Sequence, residues 1–148
     1  MEVRHAVAGE EAAILELYEW LFAPPGSRPP AWDPRWARLA LGRAVEAPDA
    51  AVLLADDGGE LVGLCTAYLD LDSVRFGRRC WIEDLAVAPE RRSRGVGASL
   101  LAAARDWARA GGATHLELDT GRNRVDAQRF YERERPAWSG ISYTWMLR

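Results

Sequence analysis

The sequence predicts an α/β protein built on a mixed sheet with helices on both faces, and three observations carry that prediction. Two apolar runs, 50–55 and 61–71, flank Asp56-Asp57-Gly58-Gly59, a strong hairpin signal. A third apolar stretch, 80–88, leads through an arginine-rich loop to Val96, Leu100, Leu101, Ala104 and Ala108, which recur at helical spacing. Gly111-Gly112 then ends that helix, and 113–119 reads as a strand again. Hairpin strands followed by strand, helix and strand in one short chain imply antiparallel and parallel pairing within one sheet.

Taken in order, residues 2–7 are short and partly β-branched and suit a first strand. Gly9-Glu10-Glu11 opens a helix through Ile14, Leu15, Leu17, Tyr18 and Leu21, with acidic residues where the helix dipole favours them. The proline-rich stretch 23–30 is a loop, because helix and central strand both exclude that many prolines. Its neighbours Trp20, Phe22 and Trp32 either fold back over the helices or wall a pocket. Asp33-Pro34 is a cap and first residue for a second helix carrying Trp36, Leu39 and Ala44. After the hairpin, the third strand and the long helix come the strand 113–119, a helix over 125–134 and a last strand over 140–147. The predicted order is β-α-α-β-β-β-α-β-α-β.

At 148 residues the chain fits one domain, 1–148. With 49% apolar and 28% charged residues, and no apolar run long enough to span a bilayer, no membrane role is expected. Met1-Glu2-Val3-Arg4-His5 lacks the apolar core of a signal peptide, so a cytoplasmic location is expected. Cys65 and Cys80 lie in predicted strands without metal-ligand spacing, so buried thiols and no metal are expected. A net charge of −3, with 19 basic residues against 22 acidic, gives nucleic-acid binding no support.

The stretch Val87-Ala88-Pro89-Glu90-Arg91-Arg92-Ser93-Arg94-Gly95-Val96-Gly97-Ala98 joins strand to helix. A helix start offers unpaired N–H groups, and Gly95 and Gly97 let a phosphate oxygen approach them, with Arg91, Arg92 and Arg94 adding charge. A pyrophosphate site is the natural reading. A Walker loop is excluded, since Ala98-Ser99 stands where it needs Lys-Ser/Thr and the chain has no lysine. A dinucleotide fingerprint fits Asp119 downstream but finds Leu100 at its third glycine. A structural helix start in a solvated basic loop remains the alternative.

Upstream, Glu83 and Asp84 stand side by side among Ile82, Leu85 and Val87. In an alternating strand one of the two must face a covered side unless a pocket or bulge intervenes, and a carboxylate so placed needs a partner or a task. Pairing with Arg75, Arg78 or Arg79 is the structural alternative. Asp70, Asp72, Glu83 and Asp84 together favour a cationic ligand, with Tyr68 and Trp81 as stacking surfaces.

The pattern Arg92-x-x-Gly95-x-Gly97 after Leu85-Ala86-Val87 resembles the acetyl-CoA loop of the GNAT superfamily of N-acetyltransferases. Leu116 to Arg124, followed by Ala127 and Phe130-Tyr131-Glu132-Arg133, is similar to that family's next strand and tyrosine-bearing helix, so the resemblance covers about residues 80–134. It implies a GNAT-like fold and acetyl transfer to a primary amine of a small acceptor. It implies an acetyl-CoA site at Leu85, Ala86, Val87, Arg92, Ser93, Arg94, Gly95, Val96, Gly97 and Ala98, with Asn123 holding the pantetheine arm. Ile82-Glu83-Asp84-x-x-Val87 resembles the strand of polyamine-type acetyltransferases, in which the glutamate contacts the amine. Carried over, that glutamate is Glu83, the candidate general base with Asp84 next in line, and Tyr131 matches the family's tyrosine as general acid; otherwise Tyr131 is a core aromatic beside Phe130. Trp81 and Asp84 are expected to contact the acceptor. The chain departs from the family after Tyr131, where Arg135-Pro136-Ala137-Trp138 replaces the usual Gly-Phe. Transfer to a protein or peptide amine, and a non-catalytic acyl-CoA sensor, are the alternative readings, and a homodimer stays open.

Overall fold

The computed structural model describes residues 1–148 as two units, Met1–Leu118 and Asp119–Arg148. The first contains β1 (Glu2–His5), α1 (Glu11–Leu17), α2 (Glu19–Phe22), α3 (Pro34–Glu46), β2 (Ala50–Asp57), β3 (Glu60–Ser73), β4 (Gly77–Val87), α4 (Val96–Ala110) and β5 (His115–Glu117). Its sheet has the order β1-β2-β3-β4-β5. The first four strands pair antiparallel, and β5 runs parallel to β4 through Arg79↔His115, Cys80↔Leu116 and Trp81↔Glu117. The predicted mixed sheet is therefore present.

The local signals act as expected at three places. Gly58 (φ 63) and Gly59 (φ 98) supply two left-handed residues in succession, the requirement of a tight two-residue hairpin between β2 and β3. Asp33 caps α3 by accepting a hydrogen bond from the Arg35 N–H at 2.9 Å, with Pro34 in the first turn. Gly112 (φ 84) closes α4: the Ala113 N–H reaches back to the Ala108 carbonyl at 2.9 Å and the Gly112 N–H to that of Arg109 at 3.0 Å.

Where one first helix is expected, the structure has two short ones broken at Tyr18. The ladder tightens there to three-residue bonds, Tyr18 N–H to Leu15 carbonyl at 3.2 Å and Leu21 N–H to Tyr18 carbonyl at 2.9 Å.

The sheet is covered on both faces because its strands carry apolar residues at both parities. On one face Ile14 and Leu17 of α1 and Leu41 and Ala44 of α3 close a core with Val52, Leu54 and Leu64. On the other, α4 brings Val96, Leu100, Leu101, Ala104 and Ala108 into the interior, the five positions that its helical spacing selects. Cys65 and Cys80 are buried free thiols, pushed up to about 12 and about 11, first by burial.

Close approach of α4 to the sheet depends on Gly63. A Cβ there would stand 2.8 Å from Leu100 Cδ1, 3.0 Å from Val96 Cγ1 and 3.2 Å from Ala55 Cβ.

The second unit holds α5 (Val125–Arg133), close to the helix that its sequence predicts. Gln128 Nε2 bonds the carbonyls of Gly121 (2.8 Å) and Arg122 (3.0 Å), tying the segment ahead of the helix to its first turns. The expected last strand over 140–147 is not formed. The chain leaves α5 through Arg135 in the left-handed region (φ 59), and Pro136 follows. Beyond them Ile141, Tyr143 and Leu147 are as exposed as Met146 on the opposite parity, so neither face of the segment is covered. Alternation of apolar and polar residues becomes a strand only where a neighbouring strand takes its backbone hydrogen bonds.

Replacing Gly63 by valine should cost about 1–3 kcal/mol of stability through overpacking between α4 and the sheet, read as a lowered urea midpoint at unchanged slope. An unshifted midpoint would show that α4 moves away at no cost.

Candidate active site

The strand pair β3–β4 does not alternate regularly. Thr66 pairs with Asp84 and Ala67 with Ile82, so Glu83 is an extra residue on β4, a β-bulge. Thr66 and Tyr68, two residues apart on β3, therefore pair with Asp84 and Trp81, three apart on β4. The bulge resolves the problem of adjacent carboxylates in a buried strand, because Asp84 turns to the sheet face that Trp81 and Tyr68 share. Glu83 is exposed and bends back to Trp81, whose indole Nε1–H donates to Glu83 Oε2 at 2.6 Å.

Asp84 is set into a hydrogen-bonded cluster. The Tyr18 hydroxyl donates to Asp84 Oδ2 at 2.8 Å and the Thr66 hydroxyl donates to the same oxygen at 2.7 Å. Thr66 Oγ1 in turn accepts from the Asp84 N–H at 3.1 Å, and Thr66 is 1% exposed. Burial pushes the Asp84 carboxyl above its ordinary value; the Thr66 and Tyr18 bonds oppose that shift and the charge of Glu83 adds to it. The Tyr18 phenol is raised by burial and then by Asp84, and the Tyr68 phenol by burial, Asp84 and Glu83.

Tyr18 also belongs to an aromatic group. Its ring centroid lies 6.1 Å from that of Trp32 and 6.4 Å from that of Phe22, while Phe22 and Trp32 meet edge to face at 4.9 Å. The Arg28 guanidinium lies 4.9 Å from the Phe22 ring and pairs with Glu19, so the proline-rich loop is anchored to α2. Trp32 thus folds back over the helices, and through Tyr18 it adjoins Asp84.

None of the three arginines weighed as partners for the two carboxylates takes that role. Arg79 binds Asp70 through two bonds, Nε to Oδ1 at 3.0 Å and NH2 to Oδ2 at 2.8 Å, and approaches Glu117 at 3.5 Å. Arg78 donates to the Gly111 carbonyl, and Arg75 stacks on Phe76. Asp70, expected in the acidic field, is accordingly neutralised by Arg79.

Past β4 the loop makes a short 3-10 turn, Pro89–Arg91, and enters α4 through Ser93 (φ 63) and Gly95 (φ 84). Gly95 is the N-cap, no side chain caps it, and nothing lies within 4 Å of the Cβ it lacks. The Ser99 N–H makes the bond to the Gly95 carbonyl (3.0 Å), so the N–H groups of Val96, Gly97 and Ala98 precede the ladder and lack an acceptor within the helix. The arginines divide, against expectation: Arg91 turns away to the β2–β3 hairpin, pairing with Asp57 and Glu60, because that turn concentrates carboxylates beside it. Arg92 reaches the Val87 carbonyl at 3.3 Å, and Arg94 is exposed. β5 pairs with β4 only at Arg79–Trp81, so the same edge of β4 takes no strand partner along Leu85, Ala86 and Val87.

The first unit thus gathers Trp81, Glu83 and Asp84 at the bulge and residues 85–87 and 92–98 along the strand end and helix start. Asn123 and Tyr131 belong to the second unit, Asn123 ahead of α5 and Tyr131 within it, beside Phe130 with centroids 5.2 Å apart. Sequence reasoning missed Tyr18 and Thr66 as partners of Asp84. Tyr18 reads there as one more apolar position of a helix, and a hydroxyl pointed across 66 residues of sequence leaves no local signal.

The raised carboxyl of Asp84 makes stability depend on pH. The folded state holds that proton more tightly than the unfolded chain, so its contribution is full at low pH and is lost as pH rises from about 4 through the folded-state value. Urea denaturation of wild type and Asp84→Asn across pH 4 to 8 should show the wild type losing stability relative to the variant as pH rises. A difference that is constant with pH, or of opposite slope, would mean that Asp84 ionises as readily folded as unfolded.

The chain matches the acetyltransferase (GNAT) family over residues 12–135. It is 32% identical over 134 residues to the uncharacterized N-acetyltransferase YhfO of Bacillus subtilis, covering 89% of this chain and 87% of that one. It is 35% identical over 97 residues to the aminoalkylphosphonate N-acetyltransferase of Salmonella typhimurium, covering 66% of this chain and 63% of that enzyme. Among solved structures, AAC(6')-Iy in complex with the bisubstrate analogue CoA-S-monomethyl-acetylneamine superposes with a TM-score of 0.81 at 21% identity, covering 99% of this chain and 97% of that one. Glucosamine-6-phosphate N-acetyltransferase from Arabidopsis thaliana gives a TM-score of 0.78 at 15% identity, over 99% of this chain and 98% of that one. The mixed sheet is thus the fold of these enzymes, and with a family match from α1 to the end of α5 the chain belongs to the acetyltransferase (GNAT) family of N-acetyltransferases.

Proposed function

We propose that this enzyme transfers the acetyl group of acetyl-CoA to the primary amine of a small cationic acceptor, and that residues 1–148 act as one acetyltransferase domain. The observation that carries this reading is the bulge, which sets an exposed carboxylate, Glu83, beside a half-buried one, Asp84, next to Tyr68 and Trp81. The family match across residues 12–135 supports the single domain, and buried free thiols suit a reducing cytoplasm.

The residues present fit acetyl-CoA. Pyrophosphate suits the uncapped start of α4, where open space over Gly95 leaves the N–H groups of Val96, Gly97 and Ala98 approachable, with Arg92, Ser93 and Arg94 alongside. The strand edge at Leu85, Ala86 and Val87 suits an amide-bearing pantetheine arm, as an added strand would pair there. Asn123 is assigned to the same arm on family resemblance. Bound there, acetyl-CoA supplies an activated acyl group, and the chain's task is to orient it and move protons.

An alkylammonium is neutral only about one part in a thousand at pH 7, so freeing its lone pair costs about 4–5 kcal/mol before attack. Glu83 takes that proton, directly or through a water, as general base. The amine nitrogen attacks the thioester carbonyl, the carbon–sulfur bond breaks, and the sulfur leaves with a proton from Tyr131. Asp84, held by Tyr18 and Thr66, offers its charge to a second cationic group of the acceptor. The relative named an aminoalkylphosphonate N-acetyltransferase favours one other acceptor class, aminophosphonates, on its 35% identity.

Thiol release from acetyl-CoA, followed across polyamines, aminoglycosides, aminoalkylphosphonates, amino acids and N-terminal peptides, tests the whole reading. Release with cationic amines is expected, and a profile confined to acidic amino acids would overturn the cationic acceptor. In the same assay Glu83→Gln should lose about 10²–10⁴ in rate at neutral pH and recover as rising pH supplies neutral amine. A Glu83→Gln profile like that of the wild type would move the base elsewhere. Tyr131→Phe should keep acetyl-CoA affinity and lose rate at every pH below phenol ionisation; loss of folding without a specific rate defect would make the ring a packing residue.

For the loop, Gly97→Val should weaken acetyl-CoA binding more than Arg94→Ala, whose exposed charge is worth only about 1 kcal/mol or less. The reverse ranking in a calorimetric titration would replace backbone recognition with side-chain recognition.

A further inference from the structure

We infer that Trp81 and Arg79 are positioning residues for Glu83, forming with Asp70 a supported chain that holds the carboxylate of the bulge in one orientation. The inference rests on Glu83 being the general base. It gives Trp81 a role other than stacking on the acceptor.

The chain is continuous in three steps. Asp70 fixes the Arg79 guanidinium by the two-bond fork, Nε to Oδ1 at 3.0 Å and NH2 to Oδ2 at 2.8 Å, and Glu117 on β5 approaches the third nitrogen at 3.5 Å. The guanidinium carbon lies 5.1 Å from the Trp81 ring, within cation–π range. The ring so held directs its only donor, Nε1–H, at Glu83 Oε2 at 2.6 Å. The first three members are only partly accessible, with side-chain exposures of 31% for Asp70 and 24% for Arg79, and Trp81 half-buried.

Glu83 needs such support because of where it sits. A bulged residue lacks a cross-strand neighbour directly opposite, and an exposed glutamate samples several rotamers unless something selects one. Asp84 needs none from this side, having Tyr18 and Thr66. A forked Arg–carboxylate pair is rigid where a lone surface pair is loose, so Arg79 can hold an indole plane still. Trp81 then restricts Glu83 without taking its second oxygen, which stays available for a proton.

Phenylalanine at 81 keeps a ring under Arg79 and deletes the donor. Trp81→Phe should lower kcat about tenfold, by analogy with the loss that follows small misplacement of a reacting group, while leaving the KM for acetyl-CoA unchanged. In a Glu83→Ala background, where no carboxylate remains to orient, the same substitution should change kcat less than twofold. Additive losses in that double-mutant cycle, with Glu83→Ala itself strongly defective, would overturn the positioning role and leave the base reading intact. A fully active Glu83→Ala would overturn both. One measurement is independent of turnover and of whether Trp81→Phe folds. Among the seven tryptophans, the indole ¹⁵N–H signal of Trp81, identified by ¹⁵N-indole labelling and its perturbation in Arg79→Gln, should move upfield and exchange faster with water in Glu83→Ala. If no indole signal responds to Glu83→Ala, the hydrogen bond does not exist in solution and the inference fails.

Discussion

A single extra residue in β4 sets the surroundings of Glu83 and Asp84. Strand alternation would send Glu83 and Asp84 to opposite sides of a sheet that helices cover on both, and one charge would be buried without compensation. Insertion of Glu83 between the pairs Thr66↔Asp84 and Ala67↔Ile82 removes that conflict. A bulge also bends the strand and increases its twist, and it lies where the short β5 stops pairing with β4. The carboxylate pair and the free strand edge at 85–87 are thus two outcomes of one irregularity.

The two carboxylates then acquire different character from different surroundings. Asp84 is half-buried and accepts two hydroxyl hydrogen bonds, and desolvation raises its carboxyl above the ordinary value. Glu83 is exposed and receives one indole hydrogen bond. Two carboxylates adjacent in sequence thus differ in exposure and in hydrogen-bond partners. The aromatic group of Tyr18, Phe22 and Trp32 extends that arrangement to the proline-rich loop, so the position of the loop and the environment of Asp84 are linked through one phenol.

Sequence made the scaffold readable wherever a local rule sufficed. Gly58-Gly59 imposes a hairpin by itself, Asp33-Pro34 starts a helix by itself, and the α4 spacing selects its buried face. The strand over 140–147 failed because its apolar alternation required a partner that the alternation could not supply. Glu83 and Asp84 were legible as a problem, two carboxylates in an apolar strand. Their solution was not, since it lies in the register of β3 against β4 and in the hydroxyls of Thr66 on β3 and of Tyr18 between α1 and α2. Arg91 shows the same limit from the other side: its place among loop arginines suggested a phosphate, and its nearest charges, Asp57 and Glu60, come from a turn more than 30 residues earlier.

The distribution of arginine decides the sign of the site. A chain with 19 arginines and no lysine has ample means to neutralise a carboxylate pair, and several guanidinium groups lie on the strands and turns nearby. Those groups are committed elsewhere: Arg79 to Asp70 and Glu117, Arg78 to the end of α4, Arg91 to the hairpin, Arg28 to Glu19. Each commitment satisfies a carboxylate or carbonyl, and none of these arginines forms an ion pair with Glu83 or Asp84. Glu83 and Asp84 are left with hydrogen-bond donors that are neutral: an indole, a phenol and an alcohol. Neutral donors orient a carboxylate without cancelling its field.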